Sequence, residues 1–309
     1  MICILLSTYN GEKYLLEQLE SLRNQKGVQI KILVRDDGST DSTIEIIKRW
    51  QTENPELIDL VEGKNVGFAL SFSNLLQMAR DKYPNAEYYA FCDQDDVWLP
   101  NKLYEAVTVL QKKVTQDSLT KPICYASNLI VVDAGLNVIK RSLYDEVDTL
   151  TKLQGLLADY CTGCTMVFNK RSIELYLDYQ HNFLKYHDKL LGMICLFLGE
   201  FIYDSRSFIN YRKHENNQIG ASISCLWIII NGLKRVLSNK EGYRKDFVLD
   251  FIEAYKSLLS LNDLKLLLNI AYYDRDFLSK LSLLFDDSLS SVNMFLRLRI
   301  KAKIMLNKL

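Results

Sequence analysis

The sequence is poor in the residues that mark disorder, secretion or membrane insertion. It has only 4 prolines and 13 glycines among 309 residues, which argues against disordered segments and collagen-like repeats. No apolar run reaches the ~18 residues that a membrane-spanning helix needs, because Asn231 and Gly232 interrupt the longest candidate, residues 225–233. Residues 2–6 are apolar but lack the length and the basic start of a secretory leader. We therefore expect a cytoplasmic protein whose first segment is a buried strand.

Charge and cysteine content exclude further classes of protein. The chain has 38 basic and 38 acidic residues, so no excess charge points to a nucleic-acid partner. Its 7 cysteines are odd in number and have no framework spacing, which indicates reduced thiols packed in a core. Cys161 and Cys164 have the spacing of a redox pair, but no second pair accompanies them for zinc, and we expect a strand or turn there.

Apolar strands alternate with amphipathic helices over the first hundred residues. Strands are predicted at residues 2–6, 31–34, 57–61 and 88–92, and helices at residues 14–22, 43–50 and 69–80. This alternation predicts an α/β fold, with a mostly parallel sheet flanked by helices. More strands are expected at residues 123–126, 129–132 and 164–168, and the pattern turns helical from about residue 173. We place a domain boundary near residue 220, between an α/β domain (1–220) and a helical C-terminal region (221–309).

Polar clusters follow three of the predicted strands, at residues 7–10, 36–39 and 93–96. The carboxyl ends of parallel strands line one crevice, where such sheets bind ligands. Carboxylates as crowded as Asp93, Asp95 and Asp96 repel one another near a core unless a cation neutralises them. Mn²⁺ or Mg²⁺, which share their oxygen ligands with substrate phosphates, would suit them. The alternative is an acidic loop that caps the next helix, which suits Asp96 but hardly all three.

The second polar cluster suggests recognition of a nucleobase. Asp37 could accept a hydrogen bond from the imide N–H of uracil or thymine, and Tyr9 could stack on that base. The alternative is a turn followed by a helix cap, which suits Asp41.

Taken in order, these motifs resemble family 2 glycosyltransferases of the GT-A (Rossmann-like) fold. The matching strings are Ser7-Thr8-Tyr9-Asn10-Gly11, Asp36-Asp37-Gly38-Ser39-Thr40-Asp41, Asn65-Val66-Gly67 and Asp93-Gln94-Asp95-Asp96. A narrower resemblance, to bacterial rhamnosyltransferase-like members that build capsule, O-antigen or cell-wall polysaccharide, rests on four more: Val97-Trp98-Leu99, Thr162-Gly163-Cys164-Thr165-Met166, His187-Asp188 and Tyr211-Arg212-Lys213-His214. The resemblance covers about residues 2–220.

The resemblance implies a role for each matched residue. Asp93 and Asp95 match the DXD motif, in which the second Asp usually binds the metal and the first contacts ribose or metal. Asp188 matches the catalytic base of inverting members, although a solvent-exposed helix start is the alternative for His187-Asp188. His214 matches a position that closes over the diphosphate, occasionally with a metal contact. The remaining residues predicted at the nucleotide-sugar site are Ser7, Tyr9, Asn10, Glu12, Asp37, Asn65, Gly67 and Gln94.

The resemblance implies an inverting, metal-dependent hexosyltransferase. It would move a sugar, with rhamnose favoured, from dTDP-rhamnose or a UDP-sugar to a saccharide or lipid-linked acceptor. Lys189-Leu190 stand where an aromatic residue is often found, which leaves the acceptor open. A sugar-nucleotide-binding protein without catalysis is one alternative, which the presence of Asp93, Asp95 and Asp188 disfavours. A nucleotidyltransferase is another, but residues 7–12 do not supply the Gly-rich, basic phosphate loop that it would need.

The end of the chain combines basic and apolar residues. Arg297, Arg299, Lys301 and Lys303 alternate with large apolar side chains. Such a helix could lie on an anionic membrane, at the inner face of the plasma membrane. Packing on the catalytic domain or across the seam of a homodimer are the alternatives.

Overall fold

The computed structural model describes residues 1–113, 120–144, 150–157, 162–179, 186–213, 243–292 and 294–309. The chain divides into two compact units, one of residues 1–144, 161–179 and 184–214 and the other of residues 145–160, 180–183 and 215–309. Cys161, His214 and the apolar run at residues 225–233, with Asn231 and Gly232, lie outside the described residues. The boundary near residue 220 stays a prediction.

The first unit is built on a nine-stranded sheet. Its strands are β1 (Ile2–Thr8), β2 (Ile30–Asp36), β3 (Ile58–Glu62), β4 (Tyr88–Cys92), β5 (Val97–Trp98), β6 (Ile123–Val132), β7 (Val138–Lys140), β8 (Val167–Asn169) and β9 (Glu200–Arg212). The strand order is β3-β2-β1-β4-β8-β6-β9-β5, with β7 beside β6. The first four strands pair in parallel, as do β6 and β9, whereas β8 runs antiparallel to both of its neighbours. The predicted α/β class with a mostly parallel sheet is confirmed.

Helices pack on this sheet through apolar stripes. They are α1 (Leu15–Arg23), α2 (Thr43–Glu53), α3 (Phe68–Lys82), α4 (Lys102–Lys113), α6 (Lys170–Asp178) and α7 (His187–Leu198), while α5 (Lys152–Leu157) belongs to the second unit. In α1 the buried leucines Leu15, Leu19 and Leu22 recur at helical spacing, so one face meets the core. The core contains both Ile4 of β1 and Ile32 of β2.

Three local predictions for the later part of the first unit are wrong. Residues 123–132 form one continuous strand rather than two. Residues 163–165 form a 3₁₀ turn, and the strand predicted at 164–168 begins only at residue 167. The helical pattern predicted from about residue 173 is also wrong for residues 200–212, where β9 runs for 13 residues. Asp204 and Arg206 interrupt its apolar pattern, but they pair with each other at 2.7 Å, so β9 carries both charges within the sheet.

The second unit is helical in its described residues. It contains α5, α8 (Tyr243–Tyr255), α9 (Leu261–Tyr272), α10 (Phe277–Leu284), a 3₁₀ turn (Asp287–Ser291) and α11 (Met294–Met305). This agrees with the helical pattern predicted for the end of the chain. Lys152 of α5 pairs with Asp263 of α9 at 2.6 Å, and Gln154 donates to the Ser288 carbonyl. Among the helices that the structure describes, none has the length and apolar character to cross a membrane.

Candidate functional site

The loops that follow β1, β2 and β4 meet at one edge of the sheet. Strand register places Thr8 opposite Asp36 and Leu6 opposite Cys92, so the three polar clusters emerge side by side. The Thr8 hydroxyl donates to Asp36 at 2.9 Å, which closes the base of the crevice between β1 and β2.

Asn10 and Glu12 connect the first loop to the second. The Asn10 N–H donates to the Ser39 hydroxyl at 2.9 Å, and the Asn10 carbonyl oxygen of the side chain accepts from the Thr40 N–H at 2.9 Å. The Glu12 carboxylate accepts from the Ser42 N–H, also at 2.9 Å. Both predicted nucleotide-site residues therefore shape the crevice wall, and direct contact with a nucleotide stays a prediction.

Tyr9 and Gln94 connect the first loop to the third. The Tyr9 N–H donates to Gln94 Oε1 at 2.8 Å, and Gln94 Nε2 donates to the Tyr9 carbonyl at 3.0 Å. The Tyr9 side chain itself is 47% exposed. Its ring is therefore available for the stacking that the sequence predicts.

Asp37 anchors the loop at residues 65–67. It forms a buried ion pair with Arg35, and it accepts from the N–H groups of Val66 and Gly67 at 3.0 and 2.8 Å. Gly67 has a φ of 85°, a conformation that favours glycine. Because both Asp37 oxygens have partners already, a contact with a nucleobase would have to replace one of them, and this role stays a prediction.

Ser7 and Asn65, two further residues of the predicted nucleotide site, lie beside this anchor. The Ser7 hydroxyl is 2.7 Å from the Ser71 hydroxyl, which in turn accepts from Arg35 at 3.0 Å. Asn65 is exposed, and its backbone nitrogen passes close to Gly38, where a Cβ would lie 3.1 Å away. The side chain of Asn65 is therefore open to a ligand.

The acidic cluster after β4 is held from the far end of β9. The Arg212 N–H donates to Asp96 Oδ1 at 3.0 Å, and its Nε donates to the Asp95 carbonyl at 2.9 Å. Arg212 also pairs with Glu17. Asp96 is fully buried, whereas Asp93 and Asp95 are partly buried. The alternative for Asp96 was a cap of the next helix. Its buried carboxylate instead accepts from the backbone of β9.

Crowding perturbs the carboxylates of this cluster. Burial, together with the charges of Asp95 and Asp188, raises the pKa of Asp93 to about 7. Burial and the charges of Asp95 and Asp93 raise the pKa of Asp96 well above its usual range. Within the described residues, Asp96 Oδ2 has no hydrogen-bond partner. Carboxylates in this state fit a divalent cation, which would offset their repulsion.

Asp188 lies at the start of α7, near the acidic cluster. Its carboxylate accepts from the Gly163 N–H at 3.1 Å and from the Lys189 N–H at 2.8 Å. Its charge contributes to the raised pKa of Asp93, so the two carboxylates interact. Only 9% of Asp188 is exposed, which excludes the solvent-exposed helix start as an explanation of the His187-Asp188 pair.

His187 packs against aromatic side chains and is neutral at neutral pH. Its ring stacks on Phe72 with 4.0 Å between centroids and meets the edge of Phe91 at 4.7 Å. Burial lowers its pKa to about 4, because an apolar surrounding disfavours the charged ring. The neutral ring therefore packs beside Asp188 without adding charge to the site.

Sequence reasoning missed the buried groups beneath the cluster. Lys102 is completely buried, and its Nζ lies 3.6 Å from the centre of the Trp98 ring. Cys164 is buried as well, close to Asp93 and Asp96. The signal for Cys164 was its place in the Thr162–Met166 motif, whereas a lysine at the start of a helix gives no sign of burial.

Comparison with solved structures identifies the fold as GT-A. The chain is similar to TarS residues 1–349 of S. aureus in complex with UDP-GlcNAc (TM-score 0.55, 16% identity, 99% of this chain and 90% of that chain). It is also similar to the mannosyltransferase PcManGT of Pyrobaculum calidifontis in complex with GDP-Man and Mn²⁺ (TM-score 0.53, 15% identity, 99% of this chain and 79% of that chain). These likenesses define the class of fold.

Sequence comparison then gives the family. The model of glycosyl transferase family 2 matches residues 3–176, and the chain belongs to this family. It is 31% identical over 232 residues to the dTDP-rhamnosyl transferase RfbG of Shigella flexneri. The aligned region covers 71% of this chain and 75% of that protein. A putative glycosyltransferase of Bacillus subtilis, EpsE, is 30% identical over 112 residues, or 36% of this chain and 38% of its own length. The protein is thus a glycosyltransferase that resembles bacterial rhamnosyltransferases.

Proposed function

We propose that this chain is an inverting, metal-dependent hexosyltransferase that uses a nucleotide-diphosphate sugar. The donor would be dTDP-rhamnose or a UDP-sugar, with rhamnose favoured by the similarity to RfbG. The acceptor would be a hydroxyl of a growing cell-surface polysaccharide or a lipid-linked saccharide. The observation that carries the proposal is the closeness of Asp188 to the acidic cluster. Asp188 accepts from the N–H of Gly163 at 3.1 Å, and the next residue, Cys164, has its Sγ within 4.8 Å of the Asp93 carboxylate.

The donor would lie along the crevice between the loops of β1, β2 and β4. Tyr9 offers an exposed ring for the base, and the Asp37-anchored loop forms the adjacent wall. Asp93 and Asp95 would hold Mn²⁺ or Mg²⁺ together with the diphosphate. His214 is proposed as a further contact to the diphosphate or the metal.

In this arrangement the leaving diphosphate and the attacking hydroxyl are served by different groups. A divalent cation at the acidic cluster would neutralise the diphosphate and make it a better leaving group. Asp188 would take the proton of the acceptor hydroxyl as the hydroxyl oxygen attacks the anomeric carbon. The N–H groups of Gly163 and Lys189 fix the Asp188 carboxylate, so the base is held in position to take that proton. One displacement of this kind inverts the anomeric centre.

A donor screen tests the proposal directly. The protein is incubated with Mn²⁺ and with dTDP-rhamnose, UDP-GlcNAc, UDP-glucose or GDP-mannose, and thermal unfolding is measured. We expect one donor to raise the unfolding temperature only when the metal is present, since a bound ligand stabilises the folded state. Release of nucleoside diphosphate from that donor should depend on an added acceptor. Binding without acceptor-dependent release would instead support a sugar-nucleotide-binding protein.

We also propose that α11 rests on an anionic membrane surface. The chain has no acidic residue after Asp287 but five basic ones, Arg297, Arg299, Lys301, Lys303 and Lys308. Phe295 and Leu298 of α11 are 66% and 56% exposed, and apolar side chains beside basic ones suit such a surface. Co-sedimentation with anionic vesicles should exceed that with zwitterionic vesicles. A concentration-dependent dimer that does not bind vesicles would support the homodimer instead.

A further inference from the structure

A buried thiol lies against the acidic cluster. Cys164 is fully buried in the 3₁₀ turn at residues 163–165. Its Sγ and the carboxylate oxygens of Asp93 and Asp96 all lie within 4.8 Å of one another. Two carboxylates and one sulfur therefore converge on a space of the size that one metal ion occupies.

One carboxylate oxygen of Asp96 has no hydrogen-bond partner among the described residues. Asp96 Oδ1 accepts from the Arg212 N–H at 3.0 Å, whereas Asp96 Oδ2 has no hydrogen-bond partner among the described residues. Asp96 is 0% exposed. A buried carboxylate oxygen without a partner costs free energy, so this oxygen calls for a proton or a cation.

The nearby cations do not supply that partner. The guanidinium of Arg212 donates instead to the Asp95 carbonyl, the Ala134 carbonyl and Glu17. Lys102 Nζ lies over the Trp98 ring at 3.6 Å and, within the described residues, makes no hydrogen bond. Within the described residues, neither Arg212 nor Lys102 donates a hydrogen bond to Asp96 Oδ2.

We propose that Asp93, Asp96 and Cys164 form a binding site for a thiophilic divalent cation such as Zn²⁺ or Cd²⁺. Thiolate ligands select such ions over Mg²⁺, which prefers oxygen. On binding, a bond forms between the metal and Sγ, the S–H bond breaks, and the proton leaves to solvent. A water would complete a four-coordinate shell.

The site has a consequence for catalysis, which, unlike the site itself, rests on the proposed function. Asp93 would be shared between the thiophilic ion and the metal that holds the donor. The two ions would therefore exclude each other, and Zn²⁺ would inhibit donor binding that Mn²⁺ supports.

Cd²⁺ alone, without donor or acceptor, tests the site. Titration of the intact protein should give an ultraviolet thiolate-to-Cd²⁺ charge-transfer band that saturates at one ion per chain. Cys164→Ser should abolish this band. Cys195→Ser, which removes another buried thiol, is the matched control and should leave the band unchanged. Asp96→Asn should weaken Cd²⁺ binding roughly ten- to hundredfold.

Several outcomes would overturn the site. A band that persists in Cys164→Ser would assign Cd²⁺ to other thiols, and the absence of a saturable band would show that Cys164 is not a metal ligand. Should Cys164→Ser fail to fold, Asp96→Asn decides, because it keeps the thiol: an unchanged affinity there contradicts the proposal. If the Cd²⁺ site holds but Cd²⁺ does not weaken the donor binding that Mn²⁺ supports, only the shared role of Asp93 in the donor site is refuted.

Discussion

Gln94 and Tyr9 exchange two hydrogen bonds across the crevice, of 2.8 and 3.0 Å. The side-chain amide of Gln94 thus pairs with the backbone of the first loop as a neighbouring strand would. Gly11 makes this possible, because a Cβ at Gly11 would lie 2.3 Å from Gln94 Oε1. The relative position of the β1 loop and the acidic cluster therefore depends on a glycine and a glutamine that are 83 residues apart in the chain (94 minus 11).

Gly11→Ala should displace Gln94 and separate the two loops. We expect a loss of about 1–3 kcal/mol in the free energy of unfolding, as for other overpacked sites, together with weaker donor binding. In a Gln94→Ala background the three atoms nearest to the added methyl are gone, so the same substitution should cost much less. Urea unfolding of both single variants and the double variant measures this coupling. Additive effects would contradict it, and Gly135→Ala, where the nearest atom is 3.3 Å away, is the control.

Asp188→Asn should abolish sugar transfer and leave donor affinity nearly unchanged. The amide cannot accept the acceptor's proton. It retains the size of the side chain, and its one oxygen can still accept from either the Gly163 or the Lys189 N–H, which donate to different oxygens of the carboxylate. Turnover should fall by at least about a hundredfold, the usual contribution of a general base. Asp95→Asn is the contrasting variant, because it should weaken metal-dependent donor binding. Calorimetry that finds lost donor affinity but normal turnover in Asp188→Asn would refute the role as base.

The parallel part of the fold could be predicted because its strands are short, apolar and followed by turn residues. β4, for example, has all five residues buried, and its pattern gave both of its ends. β9 could not be found in this way. Its charges Asp204 and Arg206 neutralise each other, and Asp204 also accepts from the Tyr125 hydroxyl at 3.0 Å, a partner that only the folded sheet provides.

The candidate site shows the same division. Motifs in the sequence were enough to single out Asp93, Asp95 and Asp188, whose positions in the described structure suit the proposed roles. They could not distinguish residues that would touch a ligand from residues that build the loops, such as Asn10. That distinction depends on backbone donors in other loops, for instance the N–H of Thr40, whose positions follow from strand register.

His187→Phe should remove an acid-sensitive component of stability. Burial lowers the His187 pKa to about 4 from an ordinary value of 6.5, so the unfolded chain binds the proton first as the pH falls. The neutral ring's contribution to the free energy of unfolding is complete above about pH 6.5 and is lost as the pH falls toward about 4. At pH 5 the loss is about 2 kcal/mol. Phenylalanine retains the stacking on Phe72 and carries no titrating group.

Urea unfolding at about pH 7.5 and about pH 5 measures this difference for wild type and variant. The variant should lose less stability than wild type on acidification, by about 2 kcal/mol. His181→Phe reports the effect of the same substitution at another histidine. Equal losses in wild type and His187→Phe would show that His187 does not carry the acid sensitivity.

Arg212→Lys should loosen the acidic cluster although the charge is kept. Arg212 is 1% exposed, and its guanidinium reaches the Asp95 carbonyl and Glu17 at once, which a single ammonium cannot reproduce. We expect a loss of roughly 2–3 kcal/mol in the free energy of unfolding and weaker Mn²⁺ binding by calorimetry. Arg206→Lys is the matched control, because Arg206 is 54% exposed in its ion pairs and such pairs contribute at most about 1 kcal/mol. Equal effects of the two substitutions, or intact Mn²⁺ affinity in Arg212→Lys, would mean that the cluster keeps its geometry without the arginine.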